Sequence, residues 1–407
     1  MEEKTGGDQR QRTGFNLLMV NSFIYIGASV YAPFLSAYYA TRGISAAQIG
    51  VLLAVGPVVS ILIQPLWAWL SDHTGRRKRV LEAVALGTAA ACLFYYLGTG
   101  FAFFFAAAIL YTSFGTSLVP LSDAVILRQA ERHDLDFAKI RMGGTVGYAV
   151  TAFLAGFYLK GNPGAQFLLA AGGYLVLFLF IRRLPGDTAP ERARPREEEA
   201  APPPGLGIFD SGEVVFVLLF AFLSNAGLTF LTAFLGVYAL ELGYTQSLIG
   251  GMNFVSAMSE VPILLCIGRI LRRFGPIPVL AFSCGAMCLR ILLASGGTVP
   301  LLLLSQGLQS VTYMTVYYSC TTYVGRHVLP GRQSRGQSIL VMVQAGLGAI
   351  AGNLAGGYAV ERLGIRGAYR AAALVLLAAA GLVTLGFCLY RRRAASRGAK
   401  AVGSAPC

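Results

Sequence analysis

A chain of 407 residues that is 55% hydrophobic and 13% charged, with a mean hydropathy of +0.62, is too apolar to be a set of ordinary water-soluble domains. Lipid cannot satisfy backbone polar groups, and the apolar runs are long and non-alternating, so helices rather than a closed barrel are expected to span it. The net charge of +14 does not point to nucleic acid, because the basic residues sit in small clusters between apolar runs with no stacking module around them.

The segment Met1 to Thr13 is polar and charged, and the apolar run behind it is too long for a signal-peptide core and shows no cleavage site, so no removal is expected. Apolar runs of about 20 residues predict spans near 14–39, 47–70, 80–98, 102–128, 141–160 and 165–183. Six more follow near 213–239, 247–268, 278–296, 300–325, 337–360 and 367–390. The first, fourth, seventh and tenth runs are long enough to be tilted or broken. Between the two sixes, 184–210 carries Glu197-Glu198-Glu199, Pro202-Pro203-Pro204 and several arginines, a composition that buries no core and is expected to be a flexible linker. The expected organisation is an N-terminal six-helix bundle over 1–183, a cytoplasmic linker over 184–210, a C-terminal six-helix bundle over 211–390 and a cytoplasmic tail over 391–407.

Charge alternates across the connections. The N-terminus, 76–79, Arg128 to Arg141, Arg182 to Arg196, Arg269 to Arg273, Arg326 to Arg335 and the tail hold 27 of the 33 Lys and Arg. The opposite side holds Arg42, Lys160, Arg362, Arg366 and Arg370, and Arg290 alone lies in mid-helix. The positive-inside rule then places both termini in the cytoplasm of a cell-membrane protein. The halves echo each other: Ile44 to Leu52 (ISAAQIGVL) and Tyr244 to Met252 (YTQSLIGGM) open the second helix of each, as two repeats of a rocking transporter would. Six cysteines lie inside apolar runs and Cys407 is terminal, so neither a disulfide framework nor a metal site is expected.

The connection between the second and third spans reads Asp72-His73-Thr74-Gly75-Arg76-Arg77-Lys78-Arg79. With twelve spans and a long central linker, this D-x-x-G-R-R-x-R cassette resembles the loop signature of the major facilitator superfamily, with Ala68 in place of its leading glycine. The resemblance implies an all-α fold of 12 transmembrane helices in two pseudo-symmetric six-helix bundles. It also implies a gating latch of Asp72, Gly75, Arg76, Arg77 and Arg79, in which Asp72 accepts from neighbouring helix ends and Arg76 pairs with acids across the hairpin. A narrower resemblance covers Pro120-Leu121-Ser122-Asp123-Ala124 and Leu135 to Gly144, with Phe137 where the pattern has Tyr. It is similar to the phenylpropionate permease group, relatives of lactose permease and the nucleoside:proton symporters.

A charged side chain in mid-span costs at least ~2.5 kcal/mol on insertion scales, so it is expected to face a polar cavity or a partner. Asp123 and Arg141 bracket the hairpin between the fourth and fifth spans and are placed to pair; the resemblance implies a sugar clamp, the plainer alternative a structural ion pair. Glu260 and Arg290 each lie ~16 Å deep by the helical rise, near the midplane of a ~30 Å core, so contact between adjacent helices is permitted. The resemblance implies a role for that pair in substrate and proton coupling. Where lactose permease has a His and an acid three residues apart on the tenth helix, this chain has Gln309 and Thr312, neither of which titrates near neutral pH.

Helices one, four, seven and ten line the cavity in the superfamily. Here they offer Asn21, Tyr25, Tyr31, Tyr38, Asn225, Gln306, Gln309, Tyr313, Tyr317 and Tyr318. Rings with amides and hydroxyls suit a sugar, a nucleoside or an aryl acid. Glycines at 143, 144, 147, 346, 348, 352, 356 and 357 permit close packing of the fifth and eleventh helices, either sliding or static. The resulting expectation is a monomeric secondary transporter of a small organic solute, working by alternating access as a proton symporter. An efflux carrier and a transport-dead receptor remain as alternatives. The chain has no H-E-x-x-H, G-x-S-x-G or nucleotide-binding loop, so no enzyme, cofactor or ATP dependence is expected.

Overall fold

The computed structural model describes residues 2–186, 208–329 and 333–403, and most of the expected linker lies outside them. Among the described residues, twelve helical rods run back and forth. In the first half these are α1 (Glu2–Tyr31, continuing through Ala32–Phe34 and Leu35–Thr41), α2 (Ala46–Thr74), α3 (Arg77–Tyr96), α4 (Phe101–Gly115 with Leu118–Arg132), α5 (Phe137–Tyr158) and α6 (Ala165–Arg183). The second half has α7 (Val214–Glu241), α8 (Gln246–Phe274), α9 (Pro276–Ser295) and α10 (Val299–Gly307, Ser310–Met314 and Thr315–Arg326). Its last two are α11, from Gln333, and α12, which Gly364 (φ 67°) separates within the run Ala349–Gly403. That last helix runs on through much of the segment expected as a tail.

Large apolar side chains stand outward, Leu265 at 80% and Leu382 at 70% exposure among them, as on a surface wetted by lipid. Eight helices among the described residues are long and apolar enough to cross a bilayer, one of them the run that holds α11 and α12, and the bent α8 makes nine. α5 and the divided α10 fall short by that measure. Their polar faces are turned inward, as described below.

The breaks in α4, α10 and α11 are each matched by side chains that take up freed backbone groups. In α4, Pro120 has no N–H for the Thr116 carbonyl, and Ser117 N–H bonds Phe114 O instead of Ser113 O. From α2, Gln64 Nε2 donates to Thr116 O (2.9 Å) and Trp67 Nε1 to Ser113 O (2.7 Å). In the second half, α10 and α11 contain wide π turns at Ser310–Met314 and Met342–Gly348. Adjacent residues of α7 serve both: Ser224 Oγ donates to Thr312 O (3.3 Å) and Asn225 Nδ2 to Gln344 O (2.7 Å). The first, fourth, seventh and tenth runs were expected to be tilted or broken. The first, fourth and tenth are broken, α7 is continuous, and α11 carries a break that was not expected.

The halves repeat each other. Gly43 and Gly243 turn the chain after α1 and α7, and Gly75 and Gly275 turn it after α2 and α8, all four with positive φ. α5 packs on α1 through Gly143, Gly144 and Gly147, and α11 packs on α7 through Gly348, Gly352 and Gly356. Between halves, α2 crosses α11 and α5 crosses α8 at backbone contact. A Cβ on Gly50 would lie 2.4 Å from Asn353 O, and one on Gly250 would lie 2.6 Å from Ala152 O. Both crossings lie toward the face opposite the termini. On the terminal face, the ends of α4 and α10 make no comparable contact among the described residues, and the halves part there.

Candidate functional site

A cavity of about 670 Å³ lies between the halves. α1 gives it Tyr25 and Ser36, α5 gives Arg141, Thr145 and Tyr148, α7 gives Thr229 and Thr232, and α8 gives Asn253, Ser256 and Glu260. α10 adds Gln306, Gln309 and Tyr313, and α11 adds Asn353. Arg141 and Glu260 are the two charged residues on this wall, one from each half. The wall is therefore balanced in charge and dense in hydroxyls and amides.

The C-terminal wall is built around Arg290 of α9, which is completely buried and stands behind the cavity lining. Its Nη1 donates to Gln309 Oε1 (2.5 Å) and Thr312 Oγ1 (2.9 Å), and its Nη2 donates to Gln306 Oε1 (3.0 Å). Gln309 Nε2 in turn donates to Glu260 Oε1 (3.3 Å). The contact that equal depth permits between Glu260 and Arg290 is thus made through an amide bridge, with Gln309, the residue before the π turn of α10, standing between them. The same turn puts Thr312 on the arginine side and Tyr313 on the cavity side.

On the N-terminal wall, the Arg141 guanidinium lies over the Tyr25 ring, 4.5 Å from its centroid. Asp123 is within electrostatic reach of Arg141 but forms no ion pair with it, and Asp123 Oδ1 has no hydrogen-bond partner among the described residues. The expected acid–arginine pair is therefore an arginine–tyrosine stack with an acid nearby. Asn21 is buried behind Gly144, where a Cβ would lie 2.5 Å from Asn21 Oδ1, so it stands outside the lining. Asn225 likewise stands outside this lining, with its amide used on the α11 carbonyl. Tyr31 and Tyr38 are buried in the aromatic core of their own half, against Tyr95, Tyr111 and Phe167, while Tyr317 and Tyr318 are exposed, Tyr317 with its ring stacked on that of Tyr313.

Several lining residues were missed, although helical spacing marks them. Arg141, Thr145 and Tyr148 share one face of α5, and Asn253, Ser256 and Glu260 share one face of α8, each with a charge at one end.

In the loop cassette, Gly75 (φ 64°) caps α2 and turns the chain into α3. Asp72 Oδ1 meets Arg77 Nη2 at 3.4 Å, and no ion pair of Arg76 is seen among the described residues. Asp72 thus meets the start of α3 through Arg77 rather than through Arg76. Lys78, the variable position of the cassette, donates through Nζ to Arg182 O (3.0 Å) and Leu184 O (2.6 Å) and so caps α6.

Comparison with known proteins agrees with this architecture. The chain is 22% identical over 365 residues to the uncharacterized transporter YwbF of Bacillus subtilis (strain 168), covering 88% of this chain and 90% of that one. It is 26% identical over 378 residues to the maltose permease of Geobacillus stearothermophilus, covering 89% and 91%. Its fold superposes on the crystal structure of the nucleoside transporter NupG with a TM-score of 0.81 at 19% identity, covering 92% of this chain and 99% of that one. The family model described as MFS_1 like family matches residues 16–371. The chain therefore belongs to the MFS_1 like family, a multi-pass membrane transporter of the major facilitator fold rather than an enzyme.

Proposed function

We propose that this protein carries a small neutral polar solute, a sugar or a nucleoside, across the cytoplasmic membrane by alternating access, as a monomer and with co-movement of protons. The observation that carries this reading is the charge-balanced cavity between two halves that touch on one side and part on the other. A wall with one guanidinium, one carboxylate, three tyrosines and several amides suits hydroxyls and rings without favouring a net charge on the solute. That disfavours an aryl acid, whose carboxylate would need an uncompensated cation. The printed names of the similar proteins, a maltose permease and a nucleoside transporter, fall in the favoured classes.

Both termini lie on the face that holds most Lys and Arg, and we assign that face to the cytoplasm. The structure is then open inward. Glu260 is the carboxylate of the wall, and its surroundings change when the halves rock; a proton bound in one state and released in the other drives net movement. Arg141 on Tyr25 and the Gln306, Gln309 and Tyr313 side chains hold the solute, and Asp72 to Arg79 hold the inward hairpin.

Purified protein in liposomes tests this with labelled uridine, maltose and 3-phenylpropionate, with and without an imposed pH gradient. Uridine or maltose is expected to exchange, and to accumulate only with the gradient. Glu260→Gln is expected to keep exchange and lose accumulation; accumulation by that variant would remove the proton role. Exchange of 3-phenylpropionate alone would overturn the neutral-solute reading.

A further inference from the structure

Arg290 is a buried cation that touches three neutral side-chain oxygens and does not reach the cavity surface. A guanidinium is a donor only, so whichever amides it touches must turn their oxygen toward it. Gln306 and Gln309 are therefore held with Oε1 pointing back at Arg290, an orientation fixed by chemistry rather than by choice of atom labels. Each amide nitrogen then faces away from α9. Gln309 Nε2 uses one N–H on Glu260 Oε1, and Gln306 Nε2 uses one on Ser305 Oγ (3.1 Å). A primary amide has two N–H groups, so one remains on each. Both side chains line the cavity, three residues apart on α10.

We propose that Arg290 is a positioning residue that fixes Gln306 and Gln309 as a pair of outward N–H donors, so that α10 reads hydrogen-bond acceptors on the solute. This rests on the solute-transport reading above and narrows it: the face of the solute against α10 carries carbonyl, ring-nitrogen or ether oxygen acceptors, not only hydroxyl hydrogens. Arg290 selects the solute without touching it. An amide free to flip would accept either polarity, and the fixed pair does not.

The test is equilibrium binding of labelled uridine and labelled maltose to the purified full chain and its variants. Gln306→Glu is nearly the same shape and keeps an oxygen for Arg290, but has no N–H to offer, and the Ser305 hydroxyl, which now donates to Leu302 O (2.7 Å), can turn to donate to the new carboxylate. Gln309→Glu does the same at the second amide while setting a second carboxylate beside Glu260, so thermal unfolding is measured alongside. The expected result is Gln306→Glu folded as stably as the parent, with its Kd raised about ten-fold or more, the loss typical of a ligand group left without its partner. Arg290→Lys keeps the charge but is a point donor that cannot hold two amides at once, and is expected to weaken binding similarly. Because Arg290 acts through the amides, adding Gln306→Glu to Arg290→Lys is expected to cost little more than either alone. An unchanged Kd in a well-folded Gln306→Glu overturns the donor reading, and additive losses overturn the positioning role. Wild-type protein that binds neither probe overturns the solute class and this inference with it, a result distinct from the other two.

Discussion

The carboxylate of Glu361, on α11 of the second half, accepts a hydrogen bond from the backbone N–H of Ala47, in the first turn of α2 of the first half, at 3.1 Å. A negative charge at a helix N-terminus is favourable, and here the charge and the helix belong to bundles that must separate for the far side of the cavity to open. The repeat of this crossing, between α5 and α8, has Lys160 at the place of Glu361. Its polar contact there is Ser247 Oγ donating to Gly156 O at 3.3 Å. One edge of the seam is thus held by charge on a dipole, the other by a neutral bond.

Removing that charge should loosen one edge only. A carboxylate on an exposed helix terminus is worth roughly 0.3–1 kcal/mol, so Glu361→Gln is expected to raise the population open on the far face about two- to five-fold. Labelling of a Ser36→Cys probe, which lines the cavity, by an impermeant reagent applied from the far side measures this. An unchanged labelling rate would show that the bond does not bias the two states.

Gly50 and Gly250 should be intolerant of any side chain in the structure seen here. A Cβ at either would fall within 2.6 Å of a backbone carbonyl of the opposite half, and neither backbone can turn aside as a side-chain tip can. Overpacking of this kind costs ~1–3 kcal/mol per site. The double variant Gly50→Leu, Gly250→Leu is expected to shift the balance to the far-open form about ten-fold or more and to halt exchange. The same Ser36→Cys labelling reads it, and normal exchange would contradict the crossing geometry.

Within the first half, Tyr39 and Tyr95 share a hydroxyl–hydroxyl bond of 2.8 Å in the buried aromatic core. Tyr95→Phe leaves the Tyr39 hydroxyl unsatisfied and is expected to cost about 1–3 kcal/mol of stability in detergent, while Tyr39→Phe is expected to cost less, because the Tyr95 hydroxyl also has Tyr31 beside it. The double variant is expected to cost less than the sum of the two. Additive losses in thermal unfolding would count against the pairing.

Gln64 and Trp67 should behave as parts of the α4 break rather than as ligand groups. Gln64→Leu strands the Thr116 carbonyl that Pro120 has already deprived of its helical donor. About 1–3 kcal/mol of stability is expected to be lost, and restoring the donor by Pro120→Ala should recover part of it. Unfolding curves of the two single variants and the pair decide the matter.

Much of this was legible along the chain. Twelve apolar runs, the 72–79 cassette and the basic bias of one face follow from short-range rules of length, spacing and charge. Glu260 and Arg290 were found because a charge in an apolar run is costly and therefore conspicuous. Asn225 shows the limit of the same logic: a polar residue in mid-helix has to satisfy something, but whether that is a solute or a freed carbonyl depends on a π turn in α11, four helices on in the chain. Asp123 and Arg141 were placed to pair by the sequence, yet Arg141 settles on Tyr25, where α1 packs on α5 through Gly143 and Gly144.

By itself, then, the sequence determined which segments enter the membrane, how many there are and which residues are too polar to face lipid, because lipid exacts those costs residue by residue. Only the tertiary structure decided that Gln309 stands between Glu260 and Arg290, that Arg290 never reaches the cavity, and that the halves meet on one face and part on the other. Those outcomes depend on helix irregularities and on backbone crossings between residues hundreds of positions apart, where no local rule of composition or spacing applies.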